Sequence, residues 1–431
     1  MRYYSTNNKT DFVSFEEAIF KGLPEDNGLY MPEVIPELPT SFFDGIDQLS
    51  LSEIGYEVIS RFMGNEIADN ELKILVEETL NFEIPLVAIK DNIYSLELFH
   101  GPTLAFKDVG ARFLARCLSH FTKKKEKKLT VLVATSGDTG SAVANGFFGV
   151  PNIKVIILYP SGKVSHFQEQ QMTTLGENIT ALEVDGTFDD CQDLVKQAFL
   201  DKELRSTLNL TSANSINIAR LLPQSIYYFY AWSQLPSEKR NKAIFSVPSG
   251  NFGNLSAGLL AQQMGLPIKK FIASTNINDS VPNYLWKGDF EPKASQATIS
   301  NAMDVGNPSN FVRMLDLFDH SHSKMSERVS GFAYTDESTR IAIKQVYALT
   351  GYILDPHGAV GYLGLSDYLT QHDGAGVVLE TAHPVKFKET VSEEIGGVIK
   401  LPSHINNTTA SKKSIPFDVN FADFKVFLGQ A

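Results

Sequence analysis

Between positions 129 and 382 the chain alternates short, β-branched apolar runs with stretches whose apolar residues recur every three or four positions. The runs are LTVLVA (129–134), KVIILYP (154–160), ITALEVD (179–185), TLNLTSA (207–213), AIFSVPS (243–249), KKFIAST (269–275) and GAGVVLETA (374–382). Stretches such as SAVANGFFG (141–149), VSHFQEQQMTTLG (164–176), FDDCQDLVKQAFL (188–200) and NLSAGLLAQQMG (254–265) follow most of them. Period two giving way to period 3.6, again and again, predicts open, mostly parallel sheets with helices on both faces. Upstream the pattern changes. FEEAIFKGL (15–23), LSEIGYEVISRFMG (51–64) and DNELKILVEETLNF (69–82) read as helices, separated by the proline-rich MPEVIPELPTSFFDG (31–45). We therefore expect an α/β protein in three parts. These are a mostly helical region over 1–95, a larger α/β domain from 96–130 and 240–431, and a smaller α/β domain over 131–239.

One more helical stretch lies between these parts. Phe106, Gly110, Phe113, Leu114, Cys117 and Phe121 share a face at steps of three and four. A Gly-Pro-Thr turn precedes it, and Lys107 sits in its first turn. Cations are disfavoured there, because unpaired N–H groups already carry partial positive charge. A lysine in that place, among apolar neighbours, is a candidate for a depressed pKa, and a neutral amine is a nucleophile and a base. Alone, the observation better fits a surface lysine whose stem covers the helix.

Composition narrows the class. The chain has 431 residues, is 43% hydrophobic and 20% charged, and carries a formal charge of −12. That balance fits a soluble globular protein and argues against nucleic-acid binding, which needs a basic footprint. It also means that an anionic substrate must be drawn in by local basic groups. The lysine-rich run KKKEKK (123–128) reads as a solvated loop. Cys117 and Cys191 stand in no CxxC pattern, and the nine histidines form no ligand cluster, so no metal site is expected. With no leader-like or membrane-spanning apolar run, the expected location is the cytoplasm.

Three predicted strands end in unusual loops. VLVA runs into Thr135-Ser-Gly-Asp-Thr-Gly140, AIFSVP into Ser249-Gly-Asn-Phe-Gly-Asn254, and VVLE into Thr381-Ala-His-Pro384. The first two join glycines to hydroxyl and amide side chains at a helix start, where free N–H groups can hold a phosphate or carboxylate. Neither is a nucleotide loop. The nearest P-loop candidate, Gly162-Lys163, has Ile157 and Val164 at the other required positions, and Gly358, Gly361 and Gly364 have the wrong spacing for a dinucleotide fingerprint. No GxSxG elbow appears. A lysine at a helix start with a later Gly/Ser/Asn cup suits pyridoxal phosphate. The lysine forms a Schiff base with the cofactor and the cup takes its phosphate.

At this point the sequence resembles the threonine synthase family among the fold type II (β-family) pyridoxal-phosphate enzymes, whose fold is tryptophan synthase β-like. The resemblance rests on PTLAFKD, ATSGDTG, SANSINIARLLPQ, VPSGNFGN, LETAHPVKF and the early DNGLYMP, in family order over nearly the whole chain. The long N-terminal region resembles the bacterial and fungal branch. The resemblance implies a lyase converting O-phospho-L-homoserine and water to L-threonine and phosphate, acting as a monomer or homodimer. The larger domain would bind the cofactor and the smaller one the substrate. Lys107 would be the Schiff-base lysine and main acid/base. Gly250, Asn251, Phe252, Gly253 and Asn254 would hold the cofactor phosphate, and Thr381 would meet the pyridine nitrogen. Asn214, Ser215, Asn217 and Arg220 would lie near the substrate phosphate, with Arg220 as the anion clamp. Thr135, Ser136 and Thr139 would bind the substrate carboxylate or phosphate. Asp138 stands where many relatives have Asn against the cofactor's 3′-oxygen, so it must hold a proton there or face elsewhere. Lys163 is either a further phosphate contact or a surface lysine. His100 and His383 either line the pocket or pack, and Asp355 and His357 read as a turn into a helix. The rival reactions on the same cofactor are a threonine dehydratase and a cysteine-synthase-like exchange. The rival from another class is a silent phospho-ligand binder.

Overall fold

A computed structural model describes residues 1–123, 128–403, 405 and 411–430. Positions 124–127 of the lysine-rich run lie outside the described residues. Two largely parallel sheets organise the chain. The larger has six strands in the order Val329–Ala333, Lys270–Thr275, Ala243–Pro248, Ala375–Glu380, Ile93–Glu97 and Leu86–Lys90. Only its edge strand Leu86–Lys90 is antiparallel. The smaller has five parallel strands in the order Ser414–Phe417, Ile179–Val184, Ile153–Pro160, Leu129–Ala134 and Asn209–Ser212. Their central strands are buried along nearly every residue, which is why they read as continuous apolar runs instead of alternating ones.

Topology decides where a ligand can enter. In the larger sheet the chain moves outward from Ala243–Pro248 to Lys270–Thr275 and Val329–Ala333, then returns to place Ala375–Glu380 on the other side. In the smaller sheet it moves outward from Leu129–Ala134, then returns to place Asn209–Ser212 on the other side. At each reversal the neighbouring connections diverge and leave a crevice at the carboxyl ends of the strands. The loops at 249–254 and 381–384 flank the first crevice. Those at 135–140 and 213–217 flank the second.

The strands divide differently from the expected residue ranges. Ile93–Glu97 and Leu86–Lys90 pair into the larger sheet although they fall mostly within 1–95. Ser414–Phe417 completes the smaller sheet although it lies far along the second block. The N-terminal region also contains an antiparallel sheet of Tyr3–Ser5, Asn8–Val13 and Tyr30–Pro32 beside its helices. These strands are three to six residues long, too short for local pattern to announce them. The helices Phe15–Lys21 and Leu51–Met63 fall where the 3.6 period puts them, each opened by a serine–glutamate capping box. Cys117 is buried in the core, as its position on the apolar face of Lys107–Thr122 implies.

Candidate active site

Lys107 opens the helix Lys107–Thr122 and is aimed by the turn before it. Asp108, fully buried, accepts from the Thr103 amide at 2.9 Å and the Thr103 hydroxyl at 2.5 Å, closing residues 103–108 into a tight loop. Leu104 is left-handed, with φ 59°, a conformation costly for a branched side chain and kept only where its surroundings enforce it. What enforces it is the strand end at 381–383. The Phe106 amide donates to Thr381 O at 2.9 Å, the His383 amide donates to Leu104 O at 3.0 Å, and Ala105 bridges Ala382. These bonds bring Lys107 and Thr381 to the same cavity. Burial lowers the Lys107 amine to about 8, with Asp138 opposing that shift and Arg220 and Lys386 adding to it.

The cup at 249–254 forms the facing wall. Phe252 is left-handed, at φ 60°, immediately before the helix Gly253–Gln263, whose first N–H groups have no intrahelical partner. Asn254 braces the loop, donating to Pro248 O at 2.8 Å and accepting from the Leu255 amide at 3.0 Å. Asn251 ties the cup to the next segment by accepting from the Ser309 and Asn310 amides. A methyl on Gly250 would lie 2.6 Å from Ala302 O and 2.9 Å from Met303 Cα, so residues 302–303 sit directly on the cup. A methyl on Gly253 would meet only ordinary contacts, at 3.4 Å or more.

From the smaller sheet, Thr135 Oγ1 accepts from the amides of Gly137 and Gly140 at 2.9 and 2.8 Å, which fixes the start of the helix Asp138–Phe147. Asn214 clamps the same loop by donating to Ala134 O at 2.8 Å. Thr135, Ser136, Thr139, Asn214, Ser215 and Arg220 all line the cavity that holds Lys107, Thr381 and residues 250–254. Arg220 is 3% exposed, and its Nε and Nη1 find no partner among the described residues. Burial lowers its guanidinium to about 10. A buried cation with unmet donors, facing a cavity, is half of an ion pair.

Three expected residues are placed elsewhere. Asn217 is fully buried and saturated. Its amide donates to Ile19 O and Ser212 O, and its oxygen caps the helix Ile218–Leu221. It anchors the segment and does not line the cavity. Lys163 is exposed on the turn after Ile153–Pro160, away from the cavity lining. Asp138 turns its carboxylate to Lys386 Nζ at 2.8 Å and Gln168 Nε2 at 2.9 Å. Burial alone would push that carboxyl up, but Lys386, Lys107 and these hydrogen bonds outweigh it and hold the group well below the usual carboxylate range. Of the two alternatives for Asp138, the structure supports an ionised group facing away.

Residues outside the expected set also matter. Lys386 is completely buried and donates to Thr103 O and Gln171 Oε1 as well as to Asp138, so it joins the lysine loop to the smaller domain. It lies within the stretch LETAHPVKF (379–387), but a lone lysine two residues after a proline carries no mark of burial. Arg313 is buried and forms no ion pair with an acid among the described residues. All its donors go to Tyr30 O, Ser215 O, Ile216 O and Asn310 Oδ1, pinning the N-terminal sheet to the Asn214–Arg220 segment. His357 lines the cavity, whereas His100 bonds Glu97 outside it and His383 packs edge-on against Phe99.

The donor set suits an anionic, aldehyde-bearing group such as pyridoxal phosphate. It offers a near-neutral amine, a glycine cup at a helix start, a hydroxyl at Thr381 and, apart from these, an unpaired guanidinium. Comparison with known proteins points the same way. Residues 82–380 match the pyridoxal-phosphate-dependent enzyme family, residues 2–80 the threonine synthase N terminus and residues 358–417 the threonine synthase C-terminal family. Threonine synthase of Escherichia coli K12 is 47% identical over 405 residues, 94% of each chain. The crystal structure of threonine synthase from Escherichia coli superposes with a TM-score of 0.94 at 44% identity over the whole of both chains. That of threonine synthase with bound PLP from Brucella melitensis does so at 0.93 and 34% identity, over all of this chain and 99% of the other.

Proposed function

The chain belongs to the threonine synthase family of pyridoxal-phosphate-dependent enzymes, and from that premise we propose how its own residues carry the reaction. The activity is the last step of threonine biosynthesis, in which O-phospho-L-homoserine and water give L-threonine and phosphate. The C–O bond at Cγ breaks, water oxygen bonds to Cβ, and Cγ becomes the methyl group. Bound pyridoxal phosphate supplies the electron sink that makes the Cα and Cβ protons acidic.

Lys107 would hold the cofactor through its neutral amine, and the same amine is placed to move protons at Cα and Cβ of the substrate. Residues 250–254 receive the cofactor phosphate on backbone N–H groups. Thr381, a neutral hydroxyl in the same cavity, would hold the pyridine nitrogen without forcing a proton onto it. Thr135, Ser136 and Thr139 orient the substrate carboxylate, and Asn214 and Ser215 flank its phosphate. Arg220 neutralises that phosphate as it leaves. The observation that carries this reading is the buried Arg220, a cation whose Nε and Nη1 find no partner among the described residues and whose side chain lines the same cavity as Lys107. A dehydratase or exchange enzyme has no second phosphate to place there. Supplying phosphohomoserine and following phosphate and threonine together tests it. Equal release of the two is expected, and 2-oxobutanoate as the main product would overturn it.

The substrate is a small molecule. We propose beyond this a cytoplasmic monomer or homodimer that binds no nucleic acid, the last point supported by the charge of −12. Among the described residues no helix is long and apolar enough to cross a membrane.

The two cup glycines should separate ligand space from protein space. Gly253→Ala fits the protein itself, so its melting temperature without cofactor should match wild type. Its cofactor content at limiting cofactor should fall about tenfold, or ~1.4 kcal/mol, and Gly253→Val should lose more. Gly250→Ala, meeting backbone at 2.6 Å, should lower both quantities. Unchanged cofactor content in Gly253→Ala would reduce that glycine to turn geometry.

A further inference from the structure

The cup has a cover, and one buried histidine fastens it. Residues 300–305 have little regular structure beyond the short helical turn Asn301–Met303. Yet Ala302 and Met303 lie against Gly250, and Ala302, Met303 and Val305 line the cavity. On one side the segment is tied by Asp304, which accepts from the Thr298 hydroxyl at 2.7 Å, the Thr298 amide at 3.0 Å and Asn276 Nδ2 at 2.9 Å. On the other side the Ala302 amide donates to His357 Nε2 at 3.2 Å.

That bond fixes the state of the imidazole. His357 Nδ1 lies 2.6 Å from Asp355 Oδ1, so Nδ1 carries the proton. Nε2 receives an N–H and so carries none. An imidazolium, or the other tautomer, would set two N–H groups against each other. Asp355 is held in turn. It caps the helix Pro356–Leu369 through the amides of His357 and Gly358, and its own amide donates to Glu380 Oε1 at 2.7 Å. Gly358 is needed for this approach, since a methyl there would overlap the Glu380 carboxyl. Burial, and then Asp355, push Glu380 well above the ordinary carboxyl range. Glu380 directly precedes Thr381, so the chain of contacts runs from the strand end through Asp355 and His357 to the cover.

We propose that His357, as the neutral Nδ1–H tautomer, is a positioning residue that latches residues 300–305 over the glycine cup and thereby slows release of the cofactor. The inference rests on the cofactor reading above but concerns retention, not chemistry. Outer partners that orient a ligand-holding group typically contribute about 10- to 100-fold in affinity, and the latch should act in that range.

The test compares His357→Leu with His357→Gln in the holoenzyme. Release is followed as loss of the bound-cofactor absorption band after dilution into a scavenger of free pyridoxal phosphate. Leucine packs against Phe387, which the imidazole contacts at 4.9 Å, but accepts no hydrogen bond. Glutamine packs less well but offers an acceptor. A latch predicts release about 10- to 100-fold faster for leucine, with glutamine restoring much of the loss. A packing role predicts the reverse order. Release from His357→Gln no slower than from His357→Leu, or wild-type release from His357→Leu, would overturn the proposal. If neither variant folds, the ¹⁵N spectrum of histidine-labelled wild type decides instead. Nδ1 protonated and Nε2 bare supports the latch, and the opposite tautomer or an imidazolium at neutral pH overturns it. A wild type that takes up no cofactor would overturn the underlying reading, and the tautomer measurement would still judge the latch.

Discussion

Lys107→Ala should abolish both the visible absorption of bound cofactor and the release of threonine from phosphohomoserine. General acid–base action by one positioned group is worth about 10²–10⁴-fold. Here the same amine also bonds the cofactor, so turnover should fall by about 10⁴-fold or more. Wild-type protein stripped of cofactor gives a second measure. The reacting form is the neutral amine, and burial lowers its pKa to about 8. Uptake of pyridoxal phosphate should therefore accelerate with pH and level off above about 8, well below the range of an exposed lysine. Stability rises with pH as well, but in a higher window. The folded pKa lies below the unfolded one, so the charged lysine destabilises the fold at pH values below about 8. That penalty fades as pH rises towards 10.5, the ordinary lysine value. Without cofactor, Lys107→Ala should compare best with wild type near pH 7 and lose that advantage at higher pH. A variant that still makes threonine near the normal rate would place the chemistry on another base.

How much of this was legible in the sequence follows from range. Strands such as Leu129–Ala134 and Ala243–Pro248 are buried on both faces and end in Gly-rich loops, so pattern and punctuation agree locally. Leu86–Lys90 has charged and exposed positions at the sheet edge, and Ser414–Phe417 is four residues with a proline, so neither stands out until its partner strand is known. The site divides in the same way. Lys107 and the cup are marked by residues adjacent in sequence. Lys386 becomes notable only through Asp138, which lies in the other sheet's loop. Asn214 and Asn217 look equivalent in the motif, yet one lines the cavity and the other faces inward to Ile19 O. Spacing alone does not show which way a loop amide turns. His357 reads as part of a capped helix start, and its second partner comes from a segment with no periodicity at all.

Arg220→Lys should be nearly as damaging as loss of the cation altogether. The guanidinium is buried, packed beside Gly110, and presents two donors that find no partner among the described residues. A lysine would carry the charge but not the planar fork that matches a phosphate edge. Truncating one partner of a buried, charge-assisted pair costs about 2–5 kcal/mol. That corresponds to roughly 30- to 4000-fold in kcat/KM at 1.4 kcal/mol per factor of ten. Both KM and kcat should suffer, since the leaving phosphate gains charge as its bond to Cγ breaks. Cofactor absorbance should stay at the wild-type level, because the cup at 250–254 and Lys107 are untouched. A purely structural Arg220 predicts something else. Its burial lowers the guanidinium to about 10, so the fold already disfavours the charge, and methionine should then be tolerated or even stabilise the protein with normal kinetics. Measuring melting temperature and kcat/KM for Arg220→Lys and Arg220→Met separates the two readings. A normal rate in either variant removes Arg220 from the substrate site. A higher melting temperature joined to a collapsed rate would show a cation kept for its ligand at the expense of the fold.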